Sequence, residues 1–210
     1  MIRVLIADDH PVVRSGVRHI LGDTSDVKVV GEAASAQELL DGLATLACDV
    51  VLLDVTMPGA RGFELLETVK RARPRTAVLV LTMHPAEQYA VRALRAGAAG
   101  YMTKESAADE LAGAIRKVSI GGRYVTPSVA ETLAAAVDRG SDRSPHELLS
   151  NREYQVLCLL GRAFSVKDIA RELHVSEKTV STYRARVLEK IQARSTAELI
   201  RYAVQNRLVD

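Results

Sequence analysis

The sequence predicts a doubly wound α/β domain of five βα units followed by a small all-α domain of four helices. Three observations predict it. Five short runs rich in Val, Ile and Leu alternate with helix-period segments over roughly the first 120 residues. From about residue 148 the apolar residues recur only at helical spacing. Between the two patterns lies DRGSDRSPH (138–146), polar, charged and without periodicity, which reads as a linker. With 210 residues and 48% hydrophobic content, the chain is long enough for two separate cores.

The strand candidates, in order, are IRVLIA (2–7), VKVVGEA (27–33), DVVLLD (49–54), AVLVLT (77–82) and AGYM (99–102). Nearly continuous apolar runs of this length are how strands covered on both faces of a parallel sheet read. Helices are expected at 11–22, 36–47, 62–72, 86–97 and 106–119, with Pro11 at a helix start and Gly97 and Gly121 at helix ends. A further helix-like stretch covers 128–137. The expected boundaries are therefore 1–121 for the first domain, 122–147 for a linker with a short helix, and 148–210 for the second. In the tail, Ser150 with Glu153 has capping-box spacing before Val156, Leu157 and Leu160. Ser165 with Asp168 repeats it before Ile169, Ala170 and Leu173; Ser176 opens a third helix and Ser195 a fourth.

Charge and composition narrow the function classes. The net charge of +2 divides unevenly: from His146 onward there are 11 Lys/Arg against 8 Asp/Glu, and before it 17 against 18. A weakly basic tail permits nucleic-acid binding without demonstrating it. The opening apolar run is strand-length and ends in Asp8-Asp9, so it reads as neither a signal peptide nor a membrane span. Cys48 and Cys158 are far apart in sequence and sit among apolar neighbours, as free thiols in a reducing cytoplasm would. The five histidines show no ligand spacing, which argues against zinc.

Three carboxylates fall at strand ends: Asp8 and Asp9 after the first and Asp54 after the third, strands that lie side by side in a doubly wound sheet. Together they repel unless a hard cation compensates, and oxygen-only ligands point to Mg²⁺. The fourth strand ends in the hydroxyl of Thr82, and the fifth is followed by Lys104. Acids, cation, hydroxyl and lysine on one edge suit phosphoryl transfer, where charge placement does most of the catalysis.

Asp8-Asp9, Asp54 with Met57-Pro58-Gly59 just after it, Thr82 and Lys104 together resemble the receiver domain of bacterial response regulators. The resemblance covers about residues 1–120. It implies that Asp54 accepts a phosphoryl group from a sensor histidine kinase. It further implies Mg²⁺ on Asp9, Asp54 and the Thr56 carbonyl, with Asp8 assisting, and phosphoryl oxygens bound by Thr82 and Lys104. Tyr101 matches the aromatic that swings as Thr82 moves. Met83 departs from the pattern: it is bulky where a small residue is frequent, and is expected to alter access to the phosphoryl group.

In the tail, VKDIARELHVSEKTVSTYRARVLEKI (166–191) has helix-turn-helix spacing, with the turn near His174-Val175. Val180, Tyr183, Val187 and Ile191 share a face expected to pack inward. Lys178, Ser181, Thr182 and Ala185, flanked by Arg186, form a small, polar opposite face. With the flanking SNREYQVLCLL and STAELIRYA, the segment is similar to the LuxR/NarL-type output domain over about residues 148–208. The resemblance implies a recognition helix at 176–190, with Lys178, Ser181, Thr182 and Ala185 facing bases. Thr179 belongs to the matching motif at its start. Lys178 is expected on guanine or phosphate, Thr182 and Ala185 on thymine methyls, Arg184 on phosphate or an ion pair, and Arg186 among the DNA-binding residues at the flank. Ser181 and Tyr183 depart from the lysine and histidine frequent in relatives, so an operator sequence is not transferable. The combined expectation is a transcription factor of the NarL/FixJ class and no enzyme: it is cytoplasmic, meets no membrane, and dimerises on double-stranded operator DNA when Asp54 is phosphorylated. An aspartate-nucleophile phosphohydrolase needs a second carboxylate two residues after the nucleophile, where this chain has Thr56. A flavodoxin-like phosphate cradle is opposed by the charge of Asp8-Asp9. A tail that binds a protein rather than DNA is the third alternative.

Overall fold

The structure, a computed structural model, describes all residues except 58–62, 84–85, 106, 139–143, 207 and 210. Pro58 and Gly59 of the turn after Asp54, and most of the polar linker, therefore lie outside the described residues. The chain divides into two compact units, Met1–Val137 and Asp138–Asp210.

In the first unit, β1 (Ile2–Ala7), β2 (Val27–Ala33), β3 (Val50–Leu53), β4 (Ala77–Thr82) and β5 (Gly100–Thr103) form one sheet of order β2-β1-β3-β4-β5, parallel throughout. Between and after them run α1 (Pro11–Gly22), α2 (Ala36–Thr45), α3 (Phe63–Ala72), α4 (Ala86–Arg95) and α5 (Ala107–Ser119). The unbroken apolar runs are explained by this arrangement: every residue of β3 and β4 is buried. The edge strand β2 is instead buried only at its two ends, Val27 and Ala33. Local chemistry sets the helix starts. Pro11 opens α1, where a missing N–H costs nothing, and Ser35 accepts from Glu38 N at the start of α2. Gly97 (φ 102°) and Gly121 (φ 85°) follow α4 and α5 in the left-handed conformation that glycine adopts without a Cβ penalty.

Several edges differ from the sequence expectation: β3 is one residue shorter at each end, β5 lies one residue later, and the helix expected at 128–137 is one residue longer at each end. Helices α2 and α4 stop two residues early, α2 because Leu46 is already extended (φ −100°, ψ 138°). Helix α6 (Pro127–Asp138) belongs to the first unit up to Val137, so the segment 122–147 is divided between the units. A 3-10 turn at Pro145–Leu148 precedes the helical domain.

The second unit holds α7 (Asn151–Gly161), α8 (Val166–Glu172), α9 (Glu177–Ile191) and α10 (Thr196–Gln205). All four open on a serine, Ser150, Ser165, Ser176 and Ser195, whose side chain accepts the amide three residues on. The turn between α8 and α9 passes through His174 at φ 51°, a left-handed position. Val156, Leu157, Ile169, Val180, Val187, Leu199 and Ala203 make the core. Burying each larger side chain contributes about 1.5–3 kcal/mol.

Candidate phosphoryl-acceptor site and nucleic-acid interface

The register of the sheet assembles the acidic site. Ala7 pairs with Leu53, so Asp8 and Asp54 leave adjacent strands side by side. Asp8 N donates to Ala33 O at 3.0 Å and Asp54 N to Ala7 O at 2.8 Å, which holds both in line with the ladder. Asp8 is 2% exposed and Asp54 1%. Across the edge, Thr82 pairs with Thr103, and Lys104 N donates to Thr82 O at 2.9 Å.

Lys104 Nζ lies 2.7 Å from Asp8 Oδ2 and 2.5 Å from Asp54 Oδ2, with its side chain 7% exposed. Burial opposes its charge, but the hydrogen bond to Asp54 and the Coulomb attraction of Asp54 and Asp8 outweigh burial and raise its pKa. The other oxygen of Asp54, Oδ1, accepts from Thr56 N at 2.8 Å and Thr56 Oγ1 at 2.6 Å. Arg14 Nη1 donates to Asp8 O at 2.6 Å and steadies the turn after β1.

The donor set fits a divalent cation. Ligand atoms of Asp8, Asp9, His10 and Asp54 lie within 4.8 Å of one another. Asp8 Oδ2 and Asp9 Oδ1 are buried without a hydrogen-bond partner. Lys104 Nζ and His10 Nδ1 do approach them, at 2.7 Å and 2.9 Å, but outside hydrogen-bond geometry. Three carboxylates against one lysine leave two negative charges, the complement of a hard dication bound through oxygen.

Among the expected site residues, Asp8, Asp9, Asp54 and Lys104 converge, and Thr82 joins through its backbone carbonyl. Thr56 is beside Asp54, bonded through its amide and hydroxyl. Tyr101 is fully buried in β5, opposite Val80. Met83 is 66% exposed next to Thr82. His10 was not expected. Its backbone N donates to Asp8 Oδ1 at 2.8 Å, and its ring lies 3.2 Å from the same oxygen. The signal for it in the sequence is its place directly after Asp8-Asp9.

On α9, Val180, Val187 and Ile191 are buried and Tyr183 is half-buried at their margin. Lys178, Thr182, Ala185 and Arg186 are exposed; Thr179, Ser181 and Arg184 are half-buried. Thr182 Oγ1 donates to Lys178 O at 3.0 Å, and the Thr179 hydroxyl lies 2.8 Å from Ser176 Oγ in the cap. Glu153 does more than cap α7: its Oε2 accepts from Ser150 N at 2.7 Å and from Lys190 Nζ of α9 at 2.6 Å.

Comparison with known proteins covers both units. The family model described as "Response regulator receiver domain" matches residues 4–116, and that described as "Bacterial regulatory proteins, luxR family" matches 147–203. The chain is 41% identical to response regulator GacA of Pseudomonas viridiflava, over 100% of this chain and 99% of GacA. It is 36% identical to response regulator UvrY of Escherichia coli K12, over 99% and 96%. Among solved structures, RcsB of Salmonella enterica serovar Typhimurium, bound to promoter rprA in the presence of phosphomimetic BeF3−, is similar with a TM-score of 0.64 and 29% identity. The match covers 96% of this chain and 97% of that one.

Proposed function

The chain belongs to the two-component response regulators that join a receiver domain to a LuxR-family DNA-binding domain, and on that premise we propose that Asp54 is its phosphoryl acceptor and α9 its DNA-reading helix. It is a transcription regulator that works with a cognate kinase and binds DNA. The observation that carries the assignment is the buried Asp54 carboxylate, approached by Lys104 and Asp8 at an edge with two negative charges uncompensated.

In the transfer, an Asp54 oxygen attacks the phosphorus of the kinase's phosphohistidine. The P–N bond breaks, a P–O bond forms, and the imidazole leaves with a proton from solvent. Asp54 Oδ1 accepts from Thr56 and Oδ2 from Lys104, so the attacking oxygen must shed a donor before it reaches phosphorus. Mg²⁺, held by Asp9, Asp54 and the Thr56 carbonyl with Asp8 assisting, would offset the charge of the phosphoryl oxygens. Lys104, freed from Asp54, would turn to one phosphoryl oxygen and the Thr82 hydroxyl to another, with Tyr101 following Thr82. Val55-Thr56 supplies no second carboxylate, so the group stays on Asp54 as a signal and the chain is no phosphohydrolase.

A phosphoryl group adds about −1.5 to −2 charge, enough to bias a bistable element. On this reading the receiver spans 1–121, the connecting segment 122–147 and the output domain 148–210. Phosphorylation shifts the chain toward a dimer that binds paired half-sites; Val204, 52% exposed on α10, suits the dimer contact. On α9, Lys178, Ser181, Thr182 and Ala185 meet bases, while Thr179, Arg184 and Arg186 serve the backbone. Thr182 spends its hydroxyl on Lys178 O, which leaves its methyl for a thymine. The place of action is the cytoplasm, which the two free thiols Cys48 and Cys158 suit. Among the described residues no helix is long and apolar enough to cross a membrane.

The test is DNA selection by the full chain with and without a beryllofluoride–Mg²⁺ mimic, beside Asp54→Ala. A two-half-site motif that strengthens with the mimic, and not in Asp54→Ala, is expected. Enrichment indifferent to the mimic keeps the reader and removes the switch; no enrichment removes the DNA reading of α9.

A further inference from the structure

We propose that Lys190 and Glu153 are positioning residues for DNA recognition, fixing how α9 presents its reading face without touching DNA. The inference rests on α9 being the reading helix.

The observation is one oxygen with two donors. Glu153 Oε2 accepts Ser150 N at 2.7 Å and Lys190 Nζ at 2.6 Å, so the first turn of α7 and the last turn of α9 are tied at a single atom. The Glu153 side chain is 3% exposed and that of Lys190 38%. A buried carboxylate is costly unless its bonds are made, so this pair holds one geometry where a surface pair would exchange partners.

The apolar contacts of α9 leave this task to do. Val180, Val187 and Ile191 fix which face turns inward. A narrow aliphatic stripe is non-directional, so it tolerates small rolls and slides of the helix that a charge-assisted hydrogen bond does not. At about 100° per residue, Lys190 sits roughly 80° round from both Val180 and Thr182, at the margin between the packing face and the arc of Lys178, Thr182 and Ala185. It lies at the carboxyl end of α9, where a cation also meets the favourable end of the helix dipole. Base readout requires donor and acceptor placement on an ångström scale, so a lost tie at one end of the helix is felt at the other.

The competing role for an exposed-headed lysine on a DNA-binding helix is a phosphate contact, and the two roles predict opposite signs for one variant. The full chain is assayed on a duplex selected by the wild type from a random pool, across a salt series. Lys190→Gln, Glu153→Gln and their combination are compared with Lys190→Arg, and Lys178→Ala serves as a control on the reading face. Glutamine at 153 keeps an acceptor for Ser150 N, so the cap of α7 survives; cooperative thermal unfolding verifies each fold. Positioning predicts that Lys190→Gln and Glu153→Gln each weaken selected-duplex binding by about five- to tenfold, and that the double variant is no weaker than either. The salt slope stays that of the wild type, and Lys190→Arg retains binding. A phosphate contact predicts instead that Lys190→Gln lowers the salt slope by about one, while Glu153→Gln frees the lysine and leaves binding equal or stronger. That result overturns the proposal, as does wild-type binding by both glutamine variants while Lys178→Ala is impaired. If Lys178→Ala also binds as the wild type does, the reading of α9 itself fails, and the proposal with it.

Discussion

Lys104 is, among the described residues, the one positive charge set between Asp8 and Asp54, at 2.7 Å and 2.5 Å, so the acidic edge depends on it before any cation or phosphoryl group arrives. Removing one partner from a buried ionic cluster leaves uncompensated charge and costs about 3–5 kcal/mol. Lys104→Met is therefore expected to destabilise the receiver by about 3 kcal/mol in chelator-treated buffer. Mg²⁺ should restore more stability to this variant than to the wild type, because the freed carboxylates bind the ion without a competing ammonium. Urea unfolding with EDTA or with Mg²⁺ measures both; equal metal effects in the two proteins would remove Lys104 as the competitor. At this scale the sequence is legible where topology does the placing. Asp8, Asp54, Thr82 and Lys104 are each at or just beyond the carboxyl end of a strand, and parallel strands send those ends to one edge. What stays hidden depends on rotamers. The Thr56 hydroxyl on Asp54 and the His10 ring beside Asp8 and Asp9 are choices of χ angle that no periodicity encodes.

At the scale of elements, α7 shows how a short helix is fixed at both ends. Its start rests on Glu153: burial alone would raise the carboxyl pKa, but Lys190 and Ser150 more than reverse that and hold it below the ordinary 4.5. A depressed carboxyl pKa contributes stability that is present above the unfolded value and lost as pH falls through the folded one. The second unit should therefore lose stability as pH drops below about 4.5, and Glu153→Gln should flatten that dependence; denaturant midpoints across an acid series read the difference. At the other end, a Cβ on Gly161 would meet Ala203 Cβ at 2.9 Å and Val209 Cγ1 and Cγ2 at 3.0 Å. Gly161→Ala gains helix propensity but forces α7 off α10, and is expected to cost about 1–3 kcal/mol. A midpoint at or above the wild type's would show that α10 shifts freely. The caps at Ser150, Ser165, Ser176 and Ser195 were legible because each is a local pattern with a local cause. The close approach at Gly161 was not, because its partners lie some forty residues on. The 3-10 turn at Pro145–Leu148 escaped for a different reason: four residues carry too little periodicity to read.

For the whole molecule, charge and coupling make opposite demands. The residues before His146 carry 17 Lys/Arg against 18 Asp/Glu, and phosphorylation makes them more negative by about 1.5 to 2 charges. Through space alone, that change repels DNA and weakens binding. On the proposed function, activation would come from a shift between states of the chain, with the electrostatic term working against it. Two consequences follow together. Screening removes the repulsion and leaves the state shift, so the ratio of duplex affinities with and without beryllofluoride–Mg²⁺ should hold or grow as salt rises, even while both affinities fall. Linkage also makes the coupling reciprocal: if the mimic tightens duplex binding by some factor, saturating duplex must tighten mimic binding by the same factor. Titrating beryllofluoride calorimetrically in the presence and absence of selected duplex supplies the second number independently of the first. Equal factors greater than one establish that Asp54 and α9 bias a single equilibrium. A ratio that falls as salt rises contradicts a state shift opposed by through-space repulsion, and factors of one in both directions mean that phosphorylation of this chain does not act through its DNA affinity.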